Sequence, residues 1–126
     1  MPTAISTPAA PAAIGPYSQG VDTSCLVFCS GQIPIDPKTG QLEMGTIEEQ
    51  AERVLENVKA IIEGAGFTMN QVVKATVFAT TMENFAPING VYSRYFSENP
   101  PARSFVAVKA LPKDAQVEIE VVAWKG

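Results

Sequence analysis

The chain has 126 residues, which fits one domain, and 46% of them are hydrophobic, a fraction typical of a globular fold. The formal net charge is −4 and the nine Lys and Arg residues are scattered, so the sequence carries no electrostatic footprint for nucleic acid. The sequence has no histidine, which excludes Ser-His and Cys-His catalytic arrangements and every histidine-based metal site.

The N-terminal region and the cysteines indicate a cytoplasmic protein. Residues 1–16 are rich in Ala and Pro and lack the positive start of a signal peptide, and we expect residues 1–12 to be loosely ordered. No apolar run is long enough to span a membrane. Cys25 and Cys29 would lie roughly 13 Å apart along a strand, too far for a disulfide, so we expect buried free thiols.

The first half of the chain predicts a strand and a helix. Residues 24–35 are rich in β-forming side chains, and residues 36–41 have turn chemistry. Thr46 and Glu49 match a capping box, which marks a helix N-terminus. Apolar residues then recur at helical spacing until Gly66 supplies a stop signal; they are Ile47, Ala51, Val54, Leu55, Val58, Ile61, Ile62 and Ala65.

The second half predicts a strand, a helix and two further strands. Residues 71–81 form the first of these strands, and Asn84 is placed to cap the helix that follows. The apolar stripe of this helix consists of Ile88, Val91, Tyr92, Tyr95 and Phe96. Residues 103–110 and 115–124 then predict the last two strands, connected by a short turn at residues 111–114.

Together these elements predict a single α+β domain over residues 1–126, in which a mixed sheet carries two helices on one face. Apolar residues nevertheless occur on both faces of the predicted strands: Val27 alternates with Phe28, and Ile119 alternates with Val122. Since the predicted helices can cover only one face, the simplest cover for the other face is a second subunit. We therefore expect a homo-oligomer.

Two charged positions on the last strands are candidates for chemistry. Arg103 opens an alternating strand, and Glu118 shares a strand face with Glu120, which costs free energy unless these carboxylates are paired, hydrogen-bonded or hydrated. They form either a solvated edge or inter-subunit salt bridge, or a polar cleft in which Arg and Glu meet a small ligand. If the turn at 111–114 makes a hairpin, Arg103 lies roughly 13 Å along the strands from Glu118.

Six motifs follow one another along the chain: APAAIGPYSQG, SGQIPIDPKTG, NVKAIIEGAG, VVKATVFATTMENFAPINGVYSRYF, PPARSFVAV and LPKDAQVEIE. Together and in this order they resemble the RidA/YjgF family of imine and enamine deaminases, also called endoribonuclease L-PSP or translation inhibitor. The resemblance implies a chorismate-mutase-like fold and a homotrimer whose sheets surround a central barrel. It also implies ligand clefts between subunits and no metal or organic cofactor.

The resemblance further implies that the protein hydrolyses 2-aminoacrylate and its imine tautomer to a 2-oxo acid and ammonia. Arg103 matches the arginine that grips the substrate carboxylate, and Glu118 matches the glutamate that positions the attacking water. The remaining matches are substrate-binding positions, namely Tyr17, Gly31 and Asn89, with Ser30 and Ser104 as weaker companions.

One position departs from the family pattern: many relatives have ARSCV where this chain has ARSFV. Strand alternation places Phe105 on the same face as Arg103, so we expect the ring to line the same pocket and change substrate preference. Two other functions remain open. One is the historical endoribonuclease or translation inhibitor, and the other is a non-catalytic module in which Arg103 binds a carboxylate metabolite.

Overall fold

A six-stranded mixed sheet forms the centre of the fold in the computed structural model, which describes residues 2–125. The strands in chain order are β1 Thr3–Ile5, β2 Gly20–Asp22, β3 Leu26–Gln32, β4 Val72–Ala79, β5 Ala102–Ala107 and β6 Val117–Trp124. Their order across the sheet is β1-β2-β3-β6-β4-β5. The strands β4 and β5 are parallel, and the other neighbouring pairs are antiparallel.

Helices α1 (Ile47–Gly64) and α2 (Phe85–Tyr95) pack on one face of this sheet. The predicted capping box starts α1: the Thr46 hydroxyl accepts from the Glu49 N–H at 3.2 Å, and the Glu49 carboxylate accepts from the Thr46 N–H at 2.8 Å. The apolar stripe of α1 is fully buried at Val54, Leu55, Val58, Ile61 and Ile62. Burying each such side chain contributes about 1.5–3 kcal/mol to the free energy of unfolding. The mixed sheet with two helices on one face confirms the predicted α+β class.

The start of α2 differs from the expectation. Asn84 occupies the N-cap position, but its side chain makes no capping hydrogen bond among the described residues. A short 3-10 turn, Met82–Asn84, leads into the helix instead, and the Thr81 hydroxyl caps that turn by accepting from the Glu83 N–H at 3.2 Å. The predicted buried stripe is confirmed, with Ile88, Val91, Tyr92 and Phe96 in the core and Tyr95 at its margin.

The expectation of loose order over residues 1–12 is wrong for the described part, residues 2–12. Residues 3–5 form β1, and the buried Gln19 side chain holds the segment that follows. Its Oε1 accepts from the Thr7 N–H at 2.7 Å, while its Nε2 donates to the carbonyls of Thr7, Ala10 and Pro11 at 3.0, 3.3 and 2.9 Å. These contacts hold the segment from a side chain that lies eight to twelve residues further along the sequence.

The strand predicted over residues 24–35 is shorter, because β3 begins at Leu26 and ends at Gln32. Cys25 lies just before it and is exposed, which corrects the expectation that both thiols are buried. Cys29 is buried, and this burial, together with the negative charge of Glu120, raises the pKa of the Cys29 thiol to about 12. Cys29 therefore stays protonated at neutral pH and packs as a small apolar side chain.

The hairpin considered for the last two strands is wrong. Strand β6 lies between β3 and β4, and β5 pairs with β4 at the edge of the sheet. The connection contains a 3-10 turn, Pro112–Asp114, in which Lys113 and Asp114 have φ values of 57° and 58°. Two consecutive non-glycine residues in the left-handed region carry backbone strain of the kind that clusters at functional sites.

Within residues 2–125 no α-helix covers the sheet face opposite α1 and α2, which we call the uncovered face, and this face has large apolar side chains. Phe28 is 46% exposed, Trp124 54% and Val106 41%. Lys74 and Ser104 lie on the same face, where the Lys74 ammonium donates to the Ser104 hydroxyl at 3.1 Å. Among the described residues, no helix is sufficiently long and apolar to cross a membrane.

Replacing Gln19 with Leu should release the N-terminal segment. Leu has a side chain of similar size, but it removes the acceptor of the Thr7 N–H and the donor to three carbonyls. We expect much faster amide hydrogen exchange at Thr7 than in the wild type, because its N–H loses a partly buried partner. The exposed Gln41→Leu provides the matched control. Equal exchange at Thr7 in both variants would contradict this account of the segment.

Candidate functional site

The predicted site residues fall into two separate groups. Tyr17, Ser30, Gly31 and Glu118 line one cleft of about 540 Å³, and we call these four the cleft group. The remaining three, Asn89, Arg103 and Phe105, lie where β5 meets α2, and we call them the clamp group. Each group brings a different kind of chemistry, a carboxylate in the cleft and a guanidinium in the clamp.

A β-bulge builds the cleft. Cys29 pairs with Val121 and Gln32 pairs with Ile119, so two residues of β3 face a single residue of β6. Gly31 is one of these two, and an added Cβ there would come within 2.5 Å of Glu118 Oε2. Any other residue would displace the Glu118 carboxylate, so glycine is needed for the close approach of strand backbone and acid.

Ser30 fixes the segment that carries Tyr17. The Ser30 hydroxyl donates to the Ser18 carbonyl at 2.6 Å, and the Ser30 N–H donates to the Gln19 carbonyl at 3.0 Å. Tyr17 itself is half exposed, and its hydroxyl accepts from the Ile14 N–H at 3.3 Å. Ser30 therefore acts on the cleft by holding its wall, while the Tyr17 ring forms part of the lining.

Glu118 is half-buried, with its pKa raised above the ordinary glutamate value. Burial is the larger cause, and the negative charge of Glu120, two residues along the same strand, adds to it. A carboxyl group whose pKa moves toward neutrality is suited to exchange protons with a reacting water or amine. Pro112 and Lys113 of the strained turn line the same cleft, and sequence reasoning did not place them there.

The clamp group holds the Arg103 guanidinium in one orientation. Its Nη1 donates to Asn89 Oδ1 at 2.6 Å, and its Cζ lies 4.8 Å from the centroid of the Tyr92 ring. The rings of Phe105 and Phe85 lie 5.4 and 5.8 Å from the same Cζ. A hydrogen bond and three aromatic faces thus fix the cation, and its remaining N–H donors have no protein acceptor among the described residues.

Tyr92 and Phe85 are site residues that the sequence interpretation missed. Both lie on α2 at helical spacing from Asn89: Phe85 is four residues before it and Tyr92 is three residues after it. They therefore share its face toward β5. The Tyr92 hydroxyl is buried and has no hydrogen-bond partner among residues 2–125. Burial raises the Tyr92 pKa and the Arg103 charge opposes this shift in part, so the hydroxyl stays protonated at neutral pH.

Within one chain the two groups lie on opposite faces of the sheet. Arg103 is in register with Ala75 and Val121, which are buried on the helix face. Glu118 alternates with the buried β6 residues and lies on the uncovered face, across from Phe78 of β4. A single chain therefore does not bring the two groups together. Ser104 belongs to neither group: it lies on the face opposite the clamp group, it does not line the cleft, and its hydroxyl accepts from Lys74.

Comparison with known proteins identifies the family. The profile of the endoribonuclease L-PSP family matches residues 7–125. The chain therefore belongs to the RidA/YjgF family, also known as the endoribonuclease L-PSP family. The resemblance inferred from the six motifs is confirmed.

Individual relatives of this RidA/YjgF protein match over the whole chain. The 2-iminobutanoate/2-iminopropanoate deaminase of Salmonella typhimurium is 50% identical over 98% of both chains. The crystal structure of a candidate endoribonuclease from Thermotoga maritima superposes with a TM-score of 0.97, at 57% identity and 98% coverage of both chains. Escherichia coli TdcF with bound serine gives a TM-score of 0.95, at 46% identity, covering 98% of this chain and 99% of that one.

Proposed function

We propose that the protein is a 2-imino acid deaminase, which hydrolyses 2-aminoacrylate and related imines to 2-oxo acids and ammonia. The observation that carries this proposal is the fixed Arg103 guanidinium, with donors left over for a planar carboxylate. The name of the Salmonella relative and the serine bound to TdcF support it. Serine and 2-iminopropanoate share a carboxylate next to a carbon that bears nitrogen.

The reaction needs only water and proton transfer. The tautomer of 2-aminoacrylate, 2-iminopropanoate, has an electrophilic C=N carbon to which water adds, forming a C–O bond. The resulting carbinolamine breaks its C–N bond and releases ammonia, which leaves pyruvate. Arg103 binds the substrate carboxylate. Glu118 takes a proton from the attacking water and gives it to the imine nitrogen, and then takes the hydroxyl proton of the carbinolamine and gives it to the leaving nitrogen as the C–N bond breaks.

The assembly that we propose is a homotrimer in which the clamp group of one copy closes the cleft group of the next. Two features support this arrangement. The two half-sites lie on opposite faces of one sheet, and the uncovered face presents Phe28, Val106 and Trp124 to solvent. A head-to-tail interface joins different surfaces of neighbouring copies, so a closed ring of three would form three equivalent sites.

Two alternative functions make different predictions. RNA cleavage, the activity in the family's older name, requires an anionic backbone to approach a cleft lined by Glu118 and Glu120, in a protein of net charge −4. A non-catalytic module would bind 2-oxo acids at Arg103 without accelerating imine decay. Both alternatives can be separated from the deaminase in one set of assays.

The deaminase proposal is tested by generating 2-aminoacrylate with a serine dehydratase and following imine decay. We expect the wild type to accelerate imine decay. Arg103→Ala should lose about 100-fold or more in kcat/KM, because it removes the cation that pairs with the substrate carboxylate. Arg103→Lys should lie between the two, since it keeps the charge but not the paired donors. Arg94→Ala, at an exposed arginine on α2, is the matched control.

Three outcomes would contradict the deaminase. The wild type could leave imine decay at its uncatalysed rate, or Arg103→Ala could keep full activity. The third is pyruvate binding that depends on Arg103 but brings no acceleration, as expected of the binding module. RNA cleavage that survives repurification and disappears in Arg103→Ala would favour the nuclease.

Glu118 should set the acid limb of the pH profile. The group acts as a base when ionised, and its pKa is raised, so activity relative to the uncatalysed rate should fall on acidification at a higher pH than an ordinary glutamate, near 4.3, would give. Glu120→Gln removes a charge that raises this pKa and should move the limb to lower pH. Glu118→Gln should abolish the limb and lower kcat by roughly 100-fold or more. An unmoved limb in Glu120→Gln would refute this assignment.

A further inference from the structure

Two phenylalanines form a continuous apolar surface beside the clamp. The rings of Phe85 and Phe105 meet edge to face, with centroids 4.8 Å apart and planes inclined by 61°. Phe105 lies two residues after Arg103 on β5, and Phe85 is the first residue of α2. The Phe85 ring remains 38% exposed, so this surface, which we call the phenylalanine shelf, is accessible from solvent.

We infer that the phenylalanine shelf binds the substrate side chain and favours 2-imino acids with larger apolar side chains over 2-iminopropanoate. This inference rests on the deaminase proposed above and names its preferred substrate class. It concerns the part of the substrate that varies, whereas Arg103 and Glu118 act on the carboxylate and the C=N group that all members of the class share.

The geometry around Arg103 directs a side chain toward the shelf. In a 2-imino acid the side chain is attached to the carbon next to the carboxylate, so its first atoms lie close to the bound guanidinium. Asn89 occupies one side of that guanidinium with a hydrogen bond, and the Tyr92 ring lies against it at 4.8 Å. The Phe105 and Phe85 rings flank it at 5.4 and 5.8 Å, within reach of a side chain of two or more carbons.

The chemistry of the shelf selects apolar groups. Both rings lack hydrogen-bonding atoms, so a charged or hydroxylated side chain laid on them loses water without gaining a partner. An aliphatic side chain gains about fourfold in binding for each methylene that it buries. Because the Phe105 ring on β5 meets the Phe85 ring at the start of α2, the apolar contact extends from the strand to the helix.

The specificity ratio tests the shelf. Imines of alanine, 2-aminobutyrate and leucine are generated by an amino acid oxidase, and kcat/KM is measured for each in one enzyme preparation. We expect the leucine imine to exceed the alanine imine by about tenfold in the wild type. Phe105→Cys and Phe85→Ala should each reduce this ratio severalfold, while Phe105→Leu should keep most of it. A ratio within one preparation cancels any loss of folded protein.

Binding of the 2-oxo acid products separates failure of the shelf from failure of the deaminase. By calorimetry, 4-methyl-2-oxopentanoate should bind the wild type about tenfold more tightly than pyruvate, and Phe105→Cys should remove most of the difference. If imine decay is not accelerated but this binding preference holds, the deaminase fails and the shelf stands. If imines are hydrolysed but the leucine-to-alanine ratio is one or less, or is unchanged in Phe105→Cys, the shelf is overturned.

Discussion

The position of β6 between β3 and β4 is the constraint on which the rest of the structure depends. This strand pairs along nearly its whole length with both neighbours, and its Val117, Ile119 and Val121 side chains form the floor of the core under the helices. Period-two alternation then sends Glu118 and Glu120 to the opposite face. Because β5 is displaced to the edge and Arg103 is in register with Val121, the clamp and the acid cannot meet within one sheet.

The two groups are held in different ways. In the clamp group, a hydrogen bond and aromatic contacts orient Arg103. The cleft carries strain: Glu118 is half-buried with a raised pKa, and Lys113, which lines the same cleft, has a left-handed backbone. Such features persist only when the surrounding fold imposes them.

Local sequence patterns predicted the features that arise within a single helix or strand, such as a cap, an apolar stripe or a shared strand face. The capping box at Thr46, the α1 stripe and the shared face of Arg103 and Phe105 depend on neighbours within a few residues, and all three are found in the structure. Long-range pairing could not be predicted in the same way. The edge position of β5 depends on its parallel partner β4, and the order of residues 2–12 depends on hydrogen bonds from Gln19. Tyr92 was predicted only as a core residue. Its contact with Arg103 depends on the edge position of β5, which local patterns do not indicate.

A subunit-complementation assay tests the central claim, that the site is completed between copies, most directly. Equal amounts of Arg103→Ala and Glu118→Gln chains, each inactive alone, are unfolded together, refolded and assayed for imine hydrolysis. In random trimers about three quarters are mixed, and each mixed ring has one site of three with both residues intact, so we expect about one quarter of wild-type activity. If each site were built within one chain, every site would lack one residue. A mixture no more active than its separate components would then contradict the account.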